Sequence, residues 1–118
     1  MLINKAWNFK DAQEITIGDK IYNAHAAIMA AKDLPVKNLL IEDMYFQYNS
    51  PSYDNFRSFC EHVMLVNDAD LKYPIILNEN GSLIDGKHRL AKAIISGKKT
   101  IKAKRFITDP QSCWKWKT

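Results

Sequence analysis

Five consecutive residues, Asp85-Gly86-Lys87-His88-Arg89, bring together a carboxylate, a glycine and three cationic or titratable side chains. That combination suits a phosphate. Glycine has no Cβ, so an anion can approach the backbone closely. Lysine offers a compact point charge, and arginine a planar fork matched to phosphate oxygens. The residues that follow, Leu90, Ala91, Ala93, Ile94 and Ile95, have helical spacing, so the basic triplet falls in a first helical turn. Backbone N–H groups lack intrahelical partners there, and the positive end of the dipole attracts anions. Basic side chains at that end oppose the dipole and cost roughly a few tenths of a kcal/mol each, which a bound anion would offset. Each residue also has a structural reading. His88 can bond a backbone carbonyl, Arg89 can pair with Asp85, and Gly86 can simply permit the turn.

Phosphoryl transfer at such a cradle would need a carboxylate to hold Mg²⁺ or act as a base. Glu42, Asp43 and Asp85 are the candidate catalytic residues, each expected near a strand end that opens on one cleft. Glu79, beside a turn, is expected to be exposed.

The elements that must position these residues are legible nearby. Pro74 opens an apolar run, Ile75-Ile76-Leu77, and Ser82 to Asp85 forms a second. Asn80-Gly81 joins them as a hairpin, since both residues tolerate positive φ. The helix is expected over 87–96 with Gly97 ending it. Residues 100–106 read as a strand, Ile101, Ala103 and Arg105 alternating with Lys102, Lys104 and Phe106. Earlier, residues 14–23 alternate around Gly18-Asp19 as a hairpin, and Asn23 caps a helix that ends near Asp33 because Pro35 disfavours helix at Leu34. A strand is expected over 37–42 and a loop over 47–55. Phe56, Phe59, Cys60, Val63 and Val66 form a stripe at helical spacing, with Ser52 or Asp54 as the N-cap. Residues 107–118 show no period, and the chain has no internal repeats.

At 118 residues, 47% apolar and 25% charged, the composition is that of one globular domain. No apolar run approaches the roughly 18 residues of a membrane span, and the N-terminus lacks the pattern of a secretion signal. Cys60 and Cys113 have no metal-ligand or CxxC spacing, so a cytoplasmic protein with free thiols is expected. Charge is uneven: residues 1–59 hold six Lys/Arg and seven Asp/Glu, residues 60–118 eleven and six. Residues 86–105 hold eight basic residues and no acidic one, which favours a polyanionic partner.

Residues 73–106, "YPIILNENGSLIDGKHRLAKAIISGKKTIKAKRF", resemble the core motif of ParB/sulfiredoxin-like domains. In these a Pro-Ile strand and a hairpin lead to Asp-Gly, a variable residue, His/Arg-Arg and an Ala-rich helix ending in Gly. Residues 50–66 are similar to the helix before that motif, and residues 33–46 to the first core strand. The resemblance implies an α/β (α+β) fold, a small mixed sheet packed by helices. It divides the single domain into an N-terminal hairpin-helix addition (1–33), a core (34–106) and a tail (107–118). It also implies that Gly86, His88 and Arg89 contact nucleotide phosphates, with Arg57 and Ser58 adding contacts from the preceding helix. Two departures narrow it. Sulfiredoxins carry a catalytic cysteine where Lys87 stands, so sulfinic acid reduction is not expected. Chromosome-partitioning ParB proteins continue into a helix-turn-helix and a dimerisation domain, and with only the short stretch after Phe106 centromere recognition is not expected.

Three functions are therefore weighed. The first is nucleotide binding (ATP, ADP or CTP, with Mg²⁺), with NTPase or phosphotransferase activity. The second is DNA or RNA binding with weak nuclease activity. There Lys92, Lys98, Lys99, Lys102, Lys104 and Arg105 would track phosphates while Trp114 and Trp116 stack on bases. The structural reading of the tryptophans is a tail folded back on the core. The third is a non-catalytic accessory protein of a phage or mobile element that binds a host protein through "MYFQYNSPSY". No membrane partner is expected.

Overall fold

The protein is described here by a computed structural model covering residues 14–44 and 54–118. It is an α+β domain with two small sheets. In chain order the elements are β1 (Glu14–Ile17), β2 (Lys20–Asn23), α1 (Ala24–Ala30), β3 (Lys37–Leu40), a 3-10 turn (Ile41–Asp43), α2 (Phe56–Asp68), β4 (Ile75–Leu77), β5 (Leu83–Asp85), α3 (Lys87–Ile95), β6 (Thr100–Arg105), a second 3-10 turn (Gln111–Cys113) and β7 (Trp114–Trp116). The larger sheet has the order β3-β6-β4-β5, with β4 and β6 parallel and the other pairs antiparallel. The smaller is antiparallel, β1-β2-β7.

β4 is buried on both faces of the larger sheet, which is why it reads Ile75-Ile76-Leu77 without a polar residue, whereas β3 is largely exposed and β6 exposes alternate residues. With a side-chain period of two, Ile75 and Leu77 point one way and Ile76 the other. Ile75, Leu77, Leu83, Ile101 and Ala103 pack with Leu90 and Ala93 of α3. Ile76, Ile84 and Phe106 pack with Ala26, Ala27 and Ala31 from α1 and its end, and with Tyr22, Cys113 and Trp114. The N-terminal hairpin and the C-terminal residues thus form one layer. The tail read as aperiodic supplies strand β7, with Tyr22 opposite Trp114 and Lys20 opposite Trp116.

A buried polar cluster fastens this layer to the β4–β5 turn. Asp109, 5% exposed, accepts hydrogen bonds from Tyr22 Oη and from the Glu79 amide, and lies 3.5 Å from Lys20 Nζ. Asn78 Nδ2 donates to Tyr22 Oη, and Asn78 Oδ1 accepts from the amides of Asn80 and Ser82. Asn78 therefore organises the turn. The expected two-residue hairpin at Asn80-Gly81 is a longer loop, closed by Asn78 N–H to Ser82 O at 2.8 Å. Burial and the Asp109 carboxylate push the Tyr22 phenol well above its ordinary range, so it stays a donor. Both cysteines are free thiols, and burial pushes Cys113 up to about 11.

Helix ends follow local chemistry. Asn23 Oδ1 accepts from the Ala26 amide at 2.9 Å, as its N-cap role requires. The cap of α2 is Asn55, whose Oδ1 accepts from Ser58 N–H at 2.8 Å, in place of Ser52 or Asp54. α1 stops at Ala30, short of Asp33, and β3 gives way to the 3-10 turn before residue 42. α3 closes with Gly97 N–H to Ile94 O and Lys98 N–H to Ala93 O, the paired bonds of a Schellman motif. Of the apolar stripe expected to bury α2, Val66 alone is buried, and Phe56, Phe59 and Val63 are exposed. Residues 45–53 of the aromatic loop and the proposed cap Ser52 lie outside the described residues. Among the described residues no helix is long and apolar enough to cross a membrane.

Candidate functional site

The Asp85–Arg89 turn is where β5 hands the chain to α3. Gly86 has φ 108° and ψ 22°, a conformation that L side chains rarely adopt. A Cβ there would lie 2.6 Å from Ile75 Cγ2 and 3.1 Å from Arg89 Nη2. Glycine is therefore demanded by both backbone and packing. The first helical bond is Leu90 N–H to Gly86 O, at 2.9 Å. The amides of Lys87, His88 and Arg89 precede it, and no side chain caps this end.

The basic triplet divides into three roles. Arg89 Nη2 donates to Asp85 Oδ2 at 2.8 Å and to Pro74 O at 3.3 Å. Its Nε is buried without a hydrogen-bond partner. The guanidinium thus pins the turn onto the start of β4. His88 Nε2 lies 3.2 Å from His62 Nδ1 of α2. Burial first, then the nearby His62, Lys87 and Arg89 charges, hold His88 below the ordinary histidine value. Lys87 is exposed. The turn thus presents the uncapped first-turn amides of α3 and the exposed Lys87, while Arg89 and His88 are engaged with Asp85, Pro74 O and His62.

A cavity of about 560 Å³ opens at this turn. Residues 84–89 form one wall, Glu14, Ile15 and Thr16 of β1 another, and Leu65, Asp68 and Ala69 at the end of α2 the third. That volume lies within the usual range of about 300–1,000 Å³ for small-molecule sites. Charges oppose both helix dipoles at its walls: Lys87 and Arg89 at the N-terminus of α3, and Asp68 at the C-terminus of α2. Local rules broken in this way concentrate at functional sites.

The expected carboxylates do not converge. β3 and β5 are opposite edges of the four-stranded sheet, about 14 Å apart across three strand spacings. Glu42 and Asp43 follow β3, and the adjoining Ile41 N–H bonds Lys99 O beyond the C-terminus of α3, the end of that helix away from the turn. Periodicity does not encode strand order, so the sequence alone does not separate Glu42 and Asp43 from the cleft. Only Asp85 of the three lines the cavity, already paired to Arg89. Glu14 and Asp68, which the sequence reading passed over, are its other carboxylates. Among the described residues no group of three or more His, Cys, Asp or Glu is placed to hold a metal ion. Arg57 and Ser58 sit in the first turn of α2, outside the cavity lining. His62 was also missed; only its position one turn before Val66 on α2 hinted that it faces inward.

Much of the basic block is used internally. Lys92 Nζ donates to Asn67 O and Ala69 O, capping the end of α2. Lys104 Nζ donates to Ala31 O and Lys32 O, capping the end of α1. Arg105 donates to Glu79 O through Nε and Nη2. A cation at a helix C-terminus meets unpaired carbonyls and the negative end of the dipole. Lys98, Lys99 and Lys102 are exposed. Trp114 is buried, with Nε1 donating to Asp109 O and Lys20 Nζ 4.1 Å from its ring centroid. It is thus removed from any stacking surface, and Trp116 is 62% exposed.

No family model, no curated protein and no solved structure matches the chain.

Proposed function

We propose that the protein binds a nucleotide through its phosphates at the Gly86–Arg89 turn, as the resemblance of residues 73–106 to ParB/sulfiredoxin-like domains implies. The observation that carries this reading is the cavity at the uncapped N-terminus of α3, floored by a glycine that packing requires. Free amides and Lys87 would take the phosphate, and Arg89 would hold the turn through Asp85 and Pro74 O. Phosphoryl transfer at this site would draw on Asp85, Glu14 and Asp68, the carboxylates on its walls, and not on Glu42 or Asp43.

Nucleic-acid binding is the second reading and has a smaller base than the sequence suggested: Lys98, Lys99, Lys102 and Trp116, with Lys92, Lys104, Arg105 and Trp114 engaged within the fold.

A thermal-shift panel of ATP, ADP, CTP, GTP and a short DNA duplex, each with and without Mg²⁺, separates the two. Ligand at about 100 times its dissociation constant adds roughly 2.7 kcal/mol, several degrees for a domain of this size. A shift with a nucleotide, reduced in Lys87→Ala, supports the first reading. A shift with DNA alone overturns it. Lys87 is the better variant because Arg89→Ala would leave Asp85 unpaired and disturb the fold.

A further inference from the structure

His62 and His88 meet edge to edge where α2 packs on α3, an arrangement that phosphate binding does not require. Their facing nitrogens are 3.2 Å apart, with ring centroids 4.8 Å apart and planes inclined by 55°. At that distance one ring donates N–H and the other accepts on a bare nitrogen. The pair tolerates one added proton, since the second ring can still accept. A second added proton leaves two imidazolium rings with N–H groups facing each other. Both rings are half-buried, which raises the cost of that state.

The charged neighbours act in both directions. Lys87 and Arg89 flank His88 on α3 and disfavour its proton, and His62 does so from α2. Asp85 on β5 favours the proton, but its carboxylate is held by Arg89. Glu14 on β1 and Asp68 on α2 stand on the other cavity walls. The same helix contact shapes the cavity, because His88 lines it from α3 while Leu65, Asp68 and Ala69 line it from α2. α2 buries only Val66, so its wall is held on α3 by this contact together with the Lys92 bonds to Asn67 O and Ala69 O at its end.

We propose that His62 and His88 form a proton-sensitive clasp between α2 and α3, closed while the pair carries no more than one added proton. Double protonation breaks this contact and shifts the α2 wall of the cavity, whose end stays tied to α3 through Lys92. The clasp is independent of which ligand the cavity takes.

The test is an NMR titration of the ¹⁵N-labelled protein from about pH 7.5 to about pH 5, spanning the ordinary imidazole value. Amides of Leu65, Asp68, Ala69 and the rest of α2 should shift in one transition that tracks the ring nitrogens of both histidines. His62→Gln, whose carboxamide bonds His88 but does not titrate, should abolish the α2 transition. Unmoved α2 amides, or an unchanged transition in His62→Gln, would overturn the clasp. If that variant does not fold, the wild-type ring nitrogens decide. Second protonation in the same interval as the α2 shifts supports the clasp; two independent titrations with no α2 response overturn it.

Discussion

Replacing Gly86 with alanine probes the turn on which the site depends. At φ 108° an L residue incurs roughly 1–3 kcal/mol of backbone strain. The new methyl would lie 2.6 Å from Ile75 Cγ2 and 3.0 Å from Ile75 Cβ. Ile75 is 0% exposed, on a strand buried on both faces, and overpacking there adds about 1–3 kcal/mol. Lower entropy of the unfolded chain returns about 0.4–1 kcal/mol. The net loss is roughly 1–5.5 kcal/mol, a large fraction of a typical domain stability of about 5–15 kcal/mol. Gly97→Ala is the matched control. It has φ 72° and nothing within 4 Å of the added Cβ, so only a backbone cost of about 1 kcal/mol applies. Urea unfolding followed by tryptophan fluorescence, with buried Trp114 as reporter, measures both. Gly86→Ala should lose at least about 1 kcal/mol more than Gly97→Ala. Equal losses would refute the close packing of the turn on Ile75.

Three further outcomes are expected. His88 is held below its ordinary value of 6.5 by burial and neighbouring charge, so below that pH the unfolded chain binds more protons than the folded one. Stability should be full above about pH 6.5 and fall as pH drops through it; a Tm lower at about pH 5.5 than at pH 7.5, with the gap reduced in His88→Gln, checks this. Tyr22→Phe leaves Asp109 Oδ2 and Asn78 Nδ2 each short of a partner and should cost about 1–3 kcal/mol by chemical denaturation. Lys92→Met removes two bonds to carbonyls at the end of α2 and should cost about 1 kcal/mol. Lys98→Met, at an exposed position, should stay within about 0.5 kcal/mol. Equal costs would contradict the division of the basic block.

Elements with a local signal were legible in the sequence. The β1–β2 hairpin alternates, Asn23 caps α1, and Gly97 stops α3, because each depends on neighbours in the chain. Ser52 and Asp54, three residues and one before the true cap Asn55, are equally plausible caps from sequence, since all three residue types can accept an amide bond. Long-range pairing left no such signal. β7 lies against β2 across most of the chain, so the tail looked aperiodic and the hairpin looked like an appendage. The placement of Glu42 and Asp43 far from Asp85 follows from strand order, which periodicity does not encode. Lys92, Lys104 and Arg105 read as a surface run because a lysine that caps a distant helix has the same sequence appearance as one in solvent. At the turn itself Gly86 was legible as a necessity. The division of labour among Lys87, His88 and Arg89 needed the positions of Pro74 O and His62.

Calorimetric titration of the intact protein decides whether the cavity at the start of α3 takes a phosphate. Pyrophosphate and the nucleotide giving the largest thermal shift would be titrated into wild type and Lys87→Ala. Saturable binding is expected, weakened roughly tenfold in Lys87→Ala by loss of one charge-assisted contact worth about 1.5 kcal/mol, with the melting temperature of the unliganded variant unchanged. No binding of either anion, or equal affinity in wild type and Lys87→Ala, would contradict it.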